Sequence, residues 1–277
     1  MRWKQFFTPA KSISAEEAKM FMAEKSQDEF NLIDVRQTKE YEASHIPGSK
    51  LIPIADLDKR LDEIDPSKPT LVYCAVGGRS RVAAQMLSGK GFDNVINVKG
   101  GIKAWDGHFA VGTEELGLEQ LTGKESIEET LVAAYSLEAG LRDFYLSMNE
   151  KVRQDEIKRL FQKLAQIETL HQDRIFDEYL QVSGSQVSRE EFENDLVINA
   201  VEGGLTTDEY IQMFKPNWDS AVDIISLAMS IEAQALDLYT RASERSKDPR
   251  NAAALKKIAE EERVHLEQLG KLMDERI

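Results

Sequence analysis

Apolar residues in the second half of the chain recur at alternating steps of three and four positions. This spacing lines one face of an α-helix with apolar side chains. Four stretches follow it, namely residues 131–148, 157–175, 225–242 and 255–272. The pattern therefore predicts four main helices. A long connection, residues 182–220, separates the second from the third and contains a predicted helix start at Thr207-Asp208-Glu209.

The first 110 residues follow a different pattern, in which short apolar runs alternate with helical stretches. Residues 32–35, 71–74 and 95–98 are mostly apolar, as expected for parallel strands that are covered on both faces. One helix is predicted to begin after the Ser-x-x-Glu capping box at residues 14–17, and another after Ser80. This part of the chain is predicted to be an α/β domain with a parallel sheet.

The two patterns divide the chain into an α/β domain at residues 1–110 and an all-α four-helix bundle at residues 125–277. Residues 111–124 lie between them, and glycines recur across this region at positions 107, 112, 117 and 123. We therefore expect a linker there. A chain of 277 residues is long enough to form two cores of ordinary size.

Six polar side chains occupy positions in the four helices that the apolar pattern assigns to the core. The second half repeats itself at an offset of 94 residues, and in each copy a lone glutamate precedes a Glu-x-x-His motif by 30 residues. Residues three apart share one face of a helix, so both side chains of a Glu-x-x-His motif point to one site. The six residues are Glu138, Glu168 and His171 in the first copy, and Glu232, Glu262 and His265 in the second.

Four inward carboxylates need compensating positive charge, because burying an ionised carboxylate without a partner costs several kcal/mol. Two metal ions held by four carboxylates and two imidazoles would provide it. This ligand set suits iron or manganese, and zinc also accepts it. The alternative is that glutamate is simply abundant, since Asp and Glu total 49, and that the inward positions are accidental. The duplicated register of all six residues favours the metal site.

The duplicated motifs resemble the ferritin-like di-metal carboxylate domain of the rubrerythrin type over residues 125–275. The resemblance implies two iron ions, with manganese as an alternative, and oxidoreductase chemistry on peroxide or oxygen with an external electron donor. The long connection before the third helix suits such a bundle. Ferritin-like domains often pair, so a homodimer is a further expectation. Tyr145 and Tyr239, seven residues after each lone glutamate, resemble tyrosines behind the metal ligands, although a role as core aromatics explains them equally well.

The resemblance to rubrerythrins is incomplete at two points. Rubrerythrins usually carry a further glutamate one turn beyond the lone glutamate of the third helix, where this chain has Ala235. They also carry a rubredoxin module with paired Cys-x-x-Cys motifs, whereas this chain has one cysteine. Peroxidase activity through the family's usual electron route is therefore in doubt.

The cysteine, Cys74, ends a predicted strand and precedes a glycine-bearing loop and a helix. A lone cysteine is most often a small buried hydrophobe. Here, however, backbone N–H groups and the N-terminus of a helix would favour its thiolate, and Arg79 would add positive charge. The residues expected to contact substrate are those of the loop, Ala75, Val76, Gly77, Gly78, Arg79 and Ser80.

Residues 12–106 resemble a single-domain rhodanese. The motifs that carry the resemblance are Leu-Ile-Asp-Val-Arg at 32–36, Glu-Tyr at 40–41, His-Ile-Pro-Gly at 45–48, the Cys74 loop, and Gly-Gly-Ile-Lys-Ala-Trp at 100–105. The resemblance implies a sulfurtransferase in which Cys74 takes sulfane sulfur from a donor such as thiosulfate and passes it to a thiol. Related phosphatases have a loop one residue longer, which makes phosphatase activity a minor alternative. Asp34 and Arg36 are expected to be structural or rim residues, and His45 is expected to hold the loop after it rather than to act as a base.

The net charge of −14 is confined to the second half of the chain. Residues 1–110 hold 16 basic and 15 acidic residues, while the remainder holds 19 and 34. This balance argues against nucleic acid or an anionic membrane as a partner. The chain contains no run of about 18 apolar residues, and its first residues are too briefly apolar for a secretory signal. We expect a cytoplasmic protein, in which one cysteine excludes intramolecular disulfides.

Two functions fit these motifs. The leading hypothesis is an enzyme that combines a Cys74 persulfide sulfurtransferase with a di-iron oxidoreductase. Its partners would be a small-molecule sulfur donor, a thiol acceptor, and peroxide or oxygen. The alternative is an iron-binding or redox-sensing protein whose rhodanese module carries persulfide for a partner. A pair of degenerate scaffolds is hard to reconcile with two motifs that are intact at their reactive residues.

Overall fold

The amino-terminal part of the chain is built on a parallel β-sheet. A computed structural model describes residues 10–119, 121–194 and 204–275. Within these residues the sheet has five strands in the order β1-β5-β4-β2-β3, and every neighbouring pair is parallel. The strands are β1 (Lys11–Ser14), β2 (Asn31–Asp34), β3 (Lys50–Leu51), β4 (Thr70–Tyr73) and β5 (Val95–Lys99).

Apolar side chains cover the sheet on both faces. Ile33 and Val72 belong to a core cluster on one face, and Leu32 and Leu71 belong to a second cluster on the other. Strands with two buried faces read as continuous apolar runs, which explains the sequence pattern. Three helices accompany the sheet, α1 (Ala15–Ala23), α2 (Thr38–Ala43) and α3 (Gly78–Gly89).

Most predicted elements of this unit are present, and the differences have local causes. The Ser14–Glu17 capping box starts α1, as predicted. Strand β1 was not predicted because it is mostly exposed, and β3 was not predicted because it has only two residues. Helix α3 begins at Gly78, earlier than predicted, because Gly77 with φ of +92° turns the chain into the helix before Ser80.

Three polar residues of the motifs between residues 32 and 48 support the loops around the sheet. Asp34 and Arg36 form a buried ion pair at 2.6 Å, and Arg36 Nη2 donates a hydrogen bond to the Ser44 carbonyl oxygen at 2.7 Å. The His45 ring stacks on Tyr41 with ring centres 3.7 Å apart. These contacts agree with a structural role for Asp34, Arg36 and His45.

The carboxy-terminal part is all-helical within the described residues. Its four long helices coincide with the four predicted stretches, and α4 packs on α5 while α8 packs on α9. Short turns at residues 152–154 and 246–248 make each of these pairs a hairpin. The helices are α4 (Ile127–Lys151), α5 (Asp155–Ser183), α6 (Arg189–Asn194), α7 (Thr207–Phe214), α8 (Ala221–Arg245) and α9 (Pro249–Asp274).

Local sequence signals set the ends of these helices. Ser126 and Glu129 form a capping box at the start of α4, and Asp248 caps α9, which has proline in its first turn. The predicted helix start in the long connection is correct, because the Thr206 side chain accepts a hydrogen bond from the Glu209 N–H at the start of α7. Residues 195–203 of that connection lie outside the described residues.

The chain divides into two compact units, Met1–Glu114 and Glu115–Ile277. The predicted linker, residues 111–124, therefore belongs largely to the helical unit. Leu118 and Leu121 are 3% and 1% exposed and join the core around Leu131 and Tyr239. The glycines had suggested a linker, and two leucines among them are buried. Among the described residues, no helix combines the length and apolar content needed to cross a membrane.

Candidate functional site

Cys74 lies directly after β4, at the carboxyl edge of the sheet, and is buried. The Gly77 N–H donates a hydrogen bond to Cys74 Sγ at 3.1 Å. Gly101 packs against the other side of the loop, where a Cβ atom would stand 2.0 Å from the Cys74 carbonyl oxygen. The Ile102 N–H donates to that same oxygen at 2.8 Å. The loop is thus held between α3 and the chain that follows β5.

A buried polar chain lies beside the sulfur. Ser80 Oγ lies 3.5 Å from Cys74 Sγ and 2.6 Å from Asn97 Oδ1, and its hydroxyl hydrogen can be donated to either acceptor. Asn97 Nδ2 in turn donates to Ser12 Oγ at 3.1 Å. The sequence analysis missed Asn97, although an asparagine within an otherwise apolar strand was a usable signal.

These contacts make Cys74 more acidic than an ordinary cysteine. Burial by itself raises the pKa of the Cys74 thiol, but hydrogen bonds from Ser80 and from the backbone N–H groups of Val76 and Gly77 outweigh it, so the pKa is lowered. The thiolate is the nucleophilic form of cysteine. The loop therefore favours the nucleophilic form of Cys74.

The Arg79 guanidinium is paired with a carboxylate. Its two terminal nitrogens each lie 2.7 Å from an oxygen of Glu40 on α2. The hydrogen bond from Arg79 lowers the pKa of Glu40 to about 2, and the pair is about one-third exposed on each side. Arg79 was predicted to add positive charge to the loop, and this charge is largely balanced by Glu40. The sequence showed Glu40 only as part of a motif, without its partner.

The other predicted loop residues surround the sulfur at different depths. Gly77 and Ser80 are buried, Ala75 is half-buried, and Gly78 is exposed. Val76 is 61% exposed and lies at the outer surface of the loop. Backbone N–H groups therefore face the sulfur from inside, while the exposed side of the loop is available to a reactant.

Alkylation of Cys74 by iodoacetamide is expected to reach half its maximal rate at a lower pH than an ordinary cysteine does, because its pKa is lowered. Ser80→Ala removes a hydrogen bond to the thiolate and should raise the pKa of Cys74. The midpoint should then move to higher pH, with slower alkylation at neutral pH. Cys74 is the only cysteine, so mass spectrometry of intact protein reports the rate. Ser88→Ala on the same helix is the control, and equal midpoints for both variants would contradict the assignment.

The six predicted metal ligands meet in the interior of the helical unit. Glu138 comes from α4, Glu168 and His171 from α5, Glu232 from α8, and Glu262 and His265 from α9. All are buried, with His265 the most exposed at 8%. The structure thus brings together every residue that the duplicated motif singled out.

Short contacts link the six side chains into one cluster. His171 Nδ1 lies 3.3 Å from Glu138 Oε2 and 3.1 Å from Glu168 Oε2. The His171 and His265 rings stack with centres 3.8 Å apart. In the second copy, His265 Nδ1 is 3.1 Å from Glu262 Oε2 and 3.6 Å from Glu232 Oε2.

The electrostatics of the cluster show strong mutual interaction. Burial raises the pKa of Glu168 well above its usual value, and the charges of Glu232 and Glu138 raise it further. Burial would lower the pKa of His171, but the carboxylates of Glu138 and Glu168 outweigh it and raise the pKa to about 10. A proton on His171 therefore supplies positive charge among these carboxylates.

The arrangement fits metal ions better than protons. Glu138, Glu168 and His171 offer ligand atoms that all lie within 4.8 Å of one another, and so do His171, Glu262 and His265. Glu168 Oε1 is buried and accepts no hydrogen bond from the described residues. A buried carboxylate oxygen without a donor is costly unless a cation binds it. The residues therefore fit a pair of cations.

The remaining predicted residues of this site are buried nearby. Tyr145 and Tyr239 are 1% and 0% exposed, and Tyr145 packs against Phe161 with ring centres 6.3 Å apart. Their role behind the metal ligands stays a prediction. Ala235, which replaces the further glutamate of rubrerythrins, is also fully buried. A glutamate that the sequence analysis did not single out, Glu261, pairs with Arg174 at 2.9 Å.

Comparison with protein families identifies both units. Residues 14–108 match the model of the rhodanese-like domain, and residues 129–273 match that of rubrerythrin. The second match spans more than half of the chain. The predicted resemblances and the predicted fold classes are thereby confirmed.

Individual relatives cover only part of the chain. A candidate sulfur carrier protein of Bacillus subtilis, YrkF, is 39% identical over 82 residues, which are 30% of this chain and 44% of that protein. The uncharacterized protein YqhL of the same organism is 45% identical over 76 residues, 27% of this chain and 60% of that protein. The chain thus spans about half the length of these relatives. A rhodanese-like domain protein of Staphylococcus aureus is 30% identical, with a TM-score of 0.35, and the match covers 37% of this chain and 99% of that structure.

Proposed function

The chain belongs to the rubrerythrin family and carries a rhodanese-like domain in front of its rubrerythrin domain, and from this premise we propose that it is an enzyme that combines sulfur transfer at Cys74 with di-iron redox chemistry on peroxide or oxygen. The observation that carries the proposal is the presence of two complete reactive sites in one chain. One is a buried thiol with a lowered pKa, and the other is a cluster of six buried metal-ligating side chains.

Sulfur transfer takes place at Cys74 in two steps. The Cys74 thiolate attacks the outer sulfur of thiosulfate, a new S–S bond forms, and sulfite leaves with the electron pair of the broken S–S bond. The thiolate of an acceptor thiol then attacks the outer sulfur of the Cys74 persulfide, and the Cys74 thiolate is released. No net oxidation of the protein occurs in this cycle.

The loop around Cys74 supplies the groups that this chemistry needs. The Gly77 N–H and the Ser80 hydroxyl stabilise negative charge on the sulfur, before attack and again when Cys74 leaves. The Arg79 guanidinium attracts an anionic donor, and Glu40 moderates that attraction through the ion pair. We therefore assign Cys74 as the nucleophile and residues 75–80 as its substrate-binding loop.

In the helical unit, Glu138, Glu168, His171, Glu232, Glu262 and His265 would hold two iron ions. Iron bound there would supply one-electron redox chemistry on peroxide or oxygen. Buried leucines, Leu164 and Leu269, lie beside the ligands. His171 must lose its proton before it can bind a cation, so occupancy is expected to weaken as pH falls.

A second candidate function is a redox sensor that stores or detects iron and carries persulfide for a partner. The observation in its favour is the single cysteine, since the chain has no Cys-x-x-Cys pair with which to receive electrons internally. Such a protein would react with peroxide once and then stop. The enzyme needs an external electron donor for each turnover.

Repeated peroxide consumption distinguishes the two functions. Iron-loaded protein given excess hydrogen peroxide and an external reductant is expected to consume many equivalents of peroxide per chain, because the reductant restores the site after each reaction. Peroxide is followed with an electrode. Zinc-loaded protein, which has the same fold but no redox-active ion, serves as the control. Consumption that stops after a single equivalent per site would favour the sensor.

A further inference from the structure

A small cavity joins the metal-ligand cluster to the protein surface. Its inner end is formed by Glu168, Glu232 and His265. Leu164 and Leu269 line its walls and are buried. Its volume is about 40 Å³, so it holds roughly three water-sized molecules. This opening agrees with the greater exposure of His265 relative to the other five ligands.

The outer end of the cavity is formed by four side chains that cannot pair as ions across it. Lys163 and Gln268 are exposed, while Ile167 and Leu272 are half-buried. Lys163 carries the one formal charge among these four residues, Gln268 is neutral, and Ile167 and Leu272 are aliphatic. The entrance is therefore mainly apolar with one positive charge at its edge.

The internal repeat gives each entrance residue a counterpart on the other side of the metal-ligand cluster, where ion pairs form. Adding or subtracting the offset of 94 converts Lys163 and Leu272 into Lys257 and Glu178. These two residues form an ion pair at 2.6 Å. The sequence repeat therefore places a lysine on both sides of the cluster and an acidic partner on only one.

The other two entrance residues also correspond to an ion pair on the other side of the cluster. The counterparts of Ile167 and Gln268 are Glu261 and Arg174, which form an ion pair at 2.9 Å. The Glu261 side chain is only 19% exposed in this pair. Two ion pairs thus cross the face of the cluster beside Glu262 and His171. Aliphatic and amide side chains occupy the equivalent positions beside Glu168 and His265.

We propose that the cavity at Lys163 and Leu272 is an entrance to the metal cluster and that it selects oxidants of about three or fewer non-hydrogen atoms, with hydrogen peroxide and dioxygen admitted and bulky organic hydroperoxides such as tert-butyl hydroperoxide excluded. The substrate class rests on the proposed di-iron function, whereas the asymmetry of access does not. Apolar walls favour small neutral molecules over ions, because burial of an ion costs far more than burial of a neutral polar group.

Cysteines introduced at equivalent depths on the two faces test the entrance in metal-free protein. Leu269 and Ile175 are related by the offset of 94 and are 4% and 3% exposed. In a Cys74→Ala background, Leu269→Cys is exposed to peroxide through the cavity, and Ile175→Cys lies behind the ion pairs. Each oxidation step transfers one oxygen atom from hydrogen peroxide to the sulfur and leaves water. Mass spectrometry of the peptide follows the rate.

We expect Leu269→Cys to be oxidised by hydrogen peroxide about tenfold faster than Ile175→Cys, since access to the latter requires two ion pairs to open. The bulkier tert-butyl hydroperoxide should oxidise both slowly and at similar rates. Thermal unfolding of each variant checks that the two substitutions disturb the core equally.

Transfer of the ion pairs to the open face provides the decisive variant. Ile167→Glu, Gln268→Arg and Leu272→Glu together copy the closed face, and they should slow oxidation of Leu269→Cys to the rate of Ile175→Cys. If that variant does not fold, the reverse set, Arg174→Gln, Glu178→Leu and Glu261→Ile, should accelerate oxidation of Ile175→Cys. Equal rates at both cysteines in the starting proteins overturn the entrance.

The outcome for the entrance is separable from that for the proposed function. Asymmetric oxidation in a protein that binds no iron would support the entrance and overturn the di-iron enzyme. If iron-loaded protein reduces hydrogen peroxide but the two introduced cysteines of metal-free protein are oxidised at equal rates, the di-iron function is supported and the entrance is overturned. Equal reduction rates for hydrogen peroxide and tert-butyl hydroperoxide by iron-loaded protein would overturn the substrate class.

Discussion

Replacement of Cys74 with alanine is expected to abolish sulfur transfer from thiosulfate, with a loss of at least about a thousandfold in rate. The methyl group of alanine cannot form a persulfide, and the sequence contains no other cysteine that could substitute. Cys74→Ser should be equally inactive, because an alkoxide is a far poorer acceptor of sulfane sulfur than a thiolate and a serine hydroxyl is not ionised near neutral pH. Release of sulfite and transfer of sulfur to cyanide or a thiol measure the reaction.

Two controls test whether a loss of activity in Cys74→Ala comes from misfolding instead of from loss of the thiol. Val82→Ala changes an exposed residue of α3 outside the loop and should keep the activity. The Cys74→Ala protein should also keep the metal content of the wild type, because all six predicted ligands lie in the helical unit. Full sulfurtransferase activity in Cys74→Ala would remove this residue from its proposed role.

Substitution of Glu168 is expected to have the second large effect, the loss of stoichiometric metal binding. Glu168→Gln keeps the shape of the side chain but removes the anionic ligand, and in this site both the charge and the buried oxygen serve cation binding. Elemental analysis of the purified and reconstituted protein should fall from about two metal ions per chain to one or none. Glu168→Ala should give the same result.

The stability of the metal-free protein should change in the opposite direction. Burial and the neighbouring carboxylates raise the pKa of Glu168 in the folded state. Because the unfolded chain ionises at lower pH, a rise in pH above the unfolded pKa favours the unfolded state. Glu168→Gln cannot ionise in either state, so it should raise the thermal midpoint of metal-free protein at neutral pH. Gln166→Ala, at an exposed position of the same helix, is the control. Unchanged metal content in Glu168→Gln would refute the metal site as described.

Local sequence signals were sufficient for much of the fold. Helices α4, α5, α8 and α9 were predictable because each buries one face and so repeats apolar residues with helical spacing. Ser14 with Glu17, and Thr207-Asp208-Glu209 in the long connection, marked helix starts, because the N–H groups of a first helical turn need nearby side-chain acceptors. Strand β3 and the packed part of residues 111–124 were not predictable, because short or irregular segments are held mainly by contacts distant in sequence.

Some residues and contacts of the candidate sites were likewise predictable from the sequence, and others were not. The six metal ligands and Cys74 were predictable because each breaks an apolar pattern or belongs to a motif whose spacing has a chemical reason. The Arg79–Glu40 pair joins residues 39 positions apart, and the Ser80–Asn97 contact joins residues 17 apart. Neither pairing leaves a periodic trace in the sequence.

The sequence by itself determined which residues are candidates for the chemistry, since the type and spacing of Cys74, the lone glutamates and the Glu-x-x-His motifs are local properties of the chain. It also contained the internal repeat and the residue types at the paired positions, among them Glu178 against Leu272 and Glu261 against Ile167. Only the tertiary structure decided which of these residues lie together. Lys257 pairs with Glu178 and Arg174 with Glu261 across helices that are distant in the chain, whereas Lys163, Ile167, Gln268 and Leu272 line a cavity. The physical reason is that an ion pair depends on the distance between two charges in space, which the folded chain alone defines.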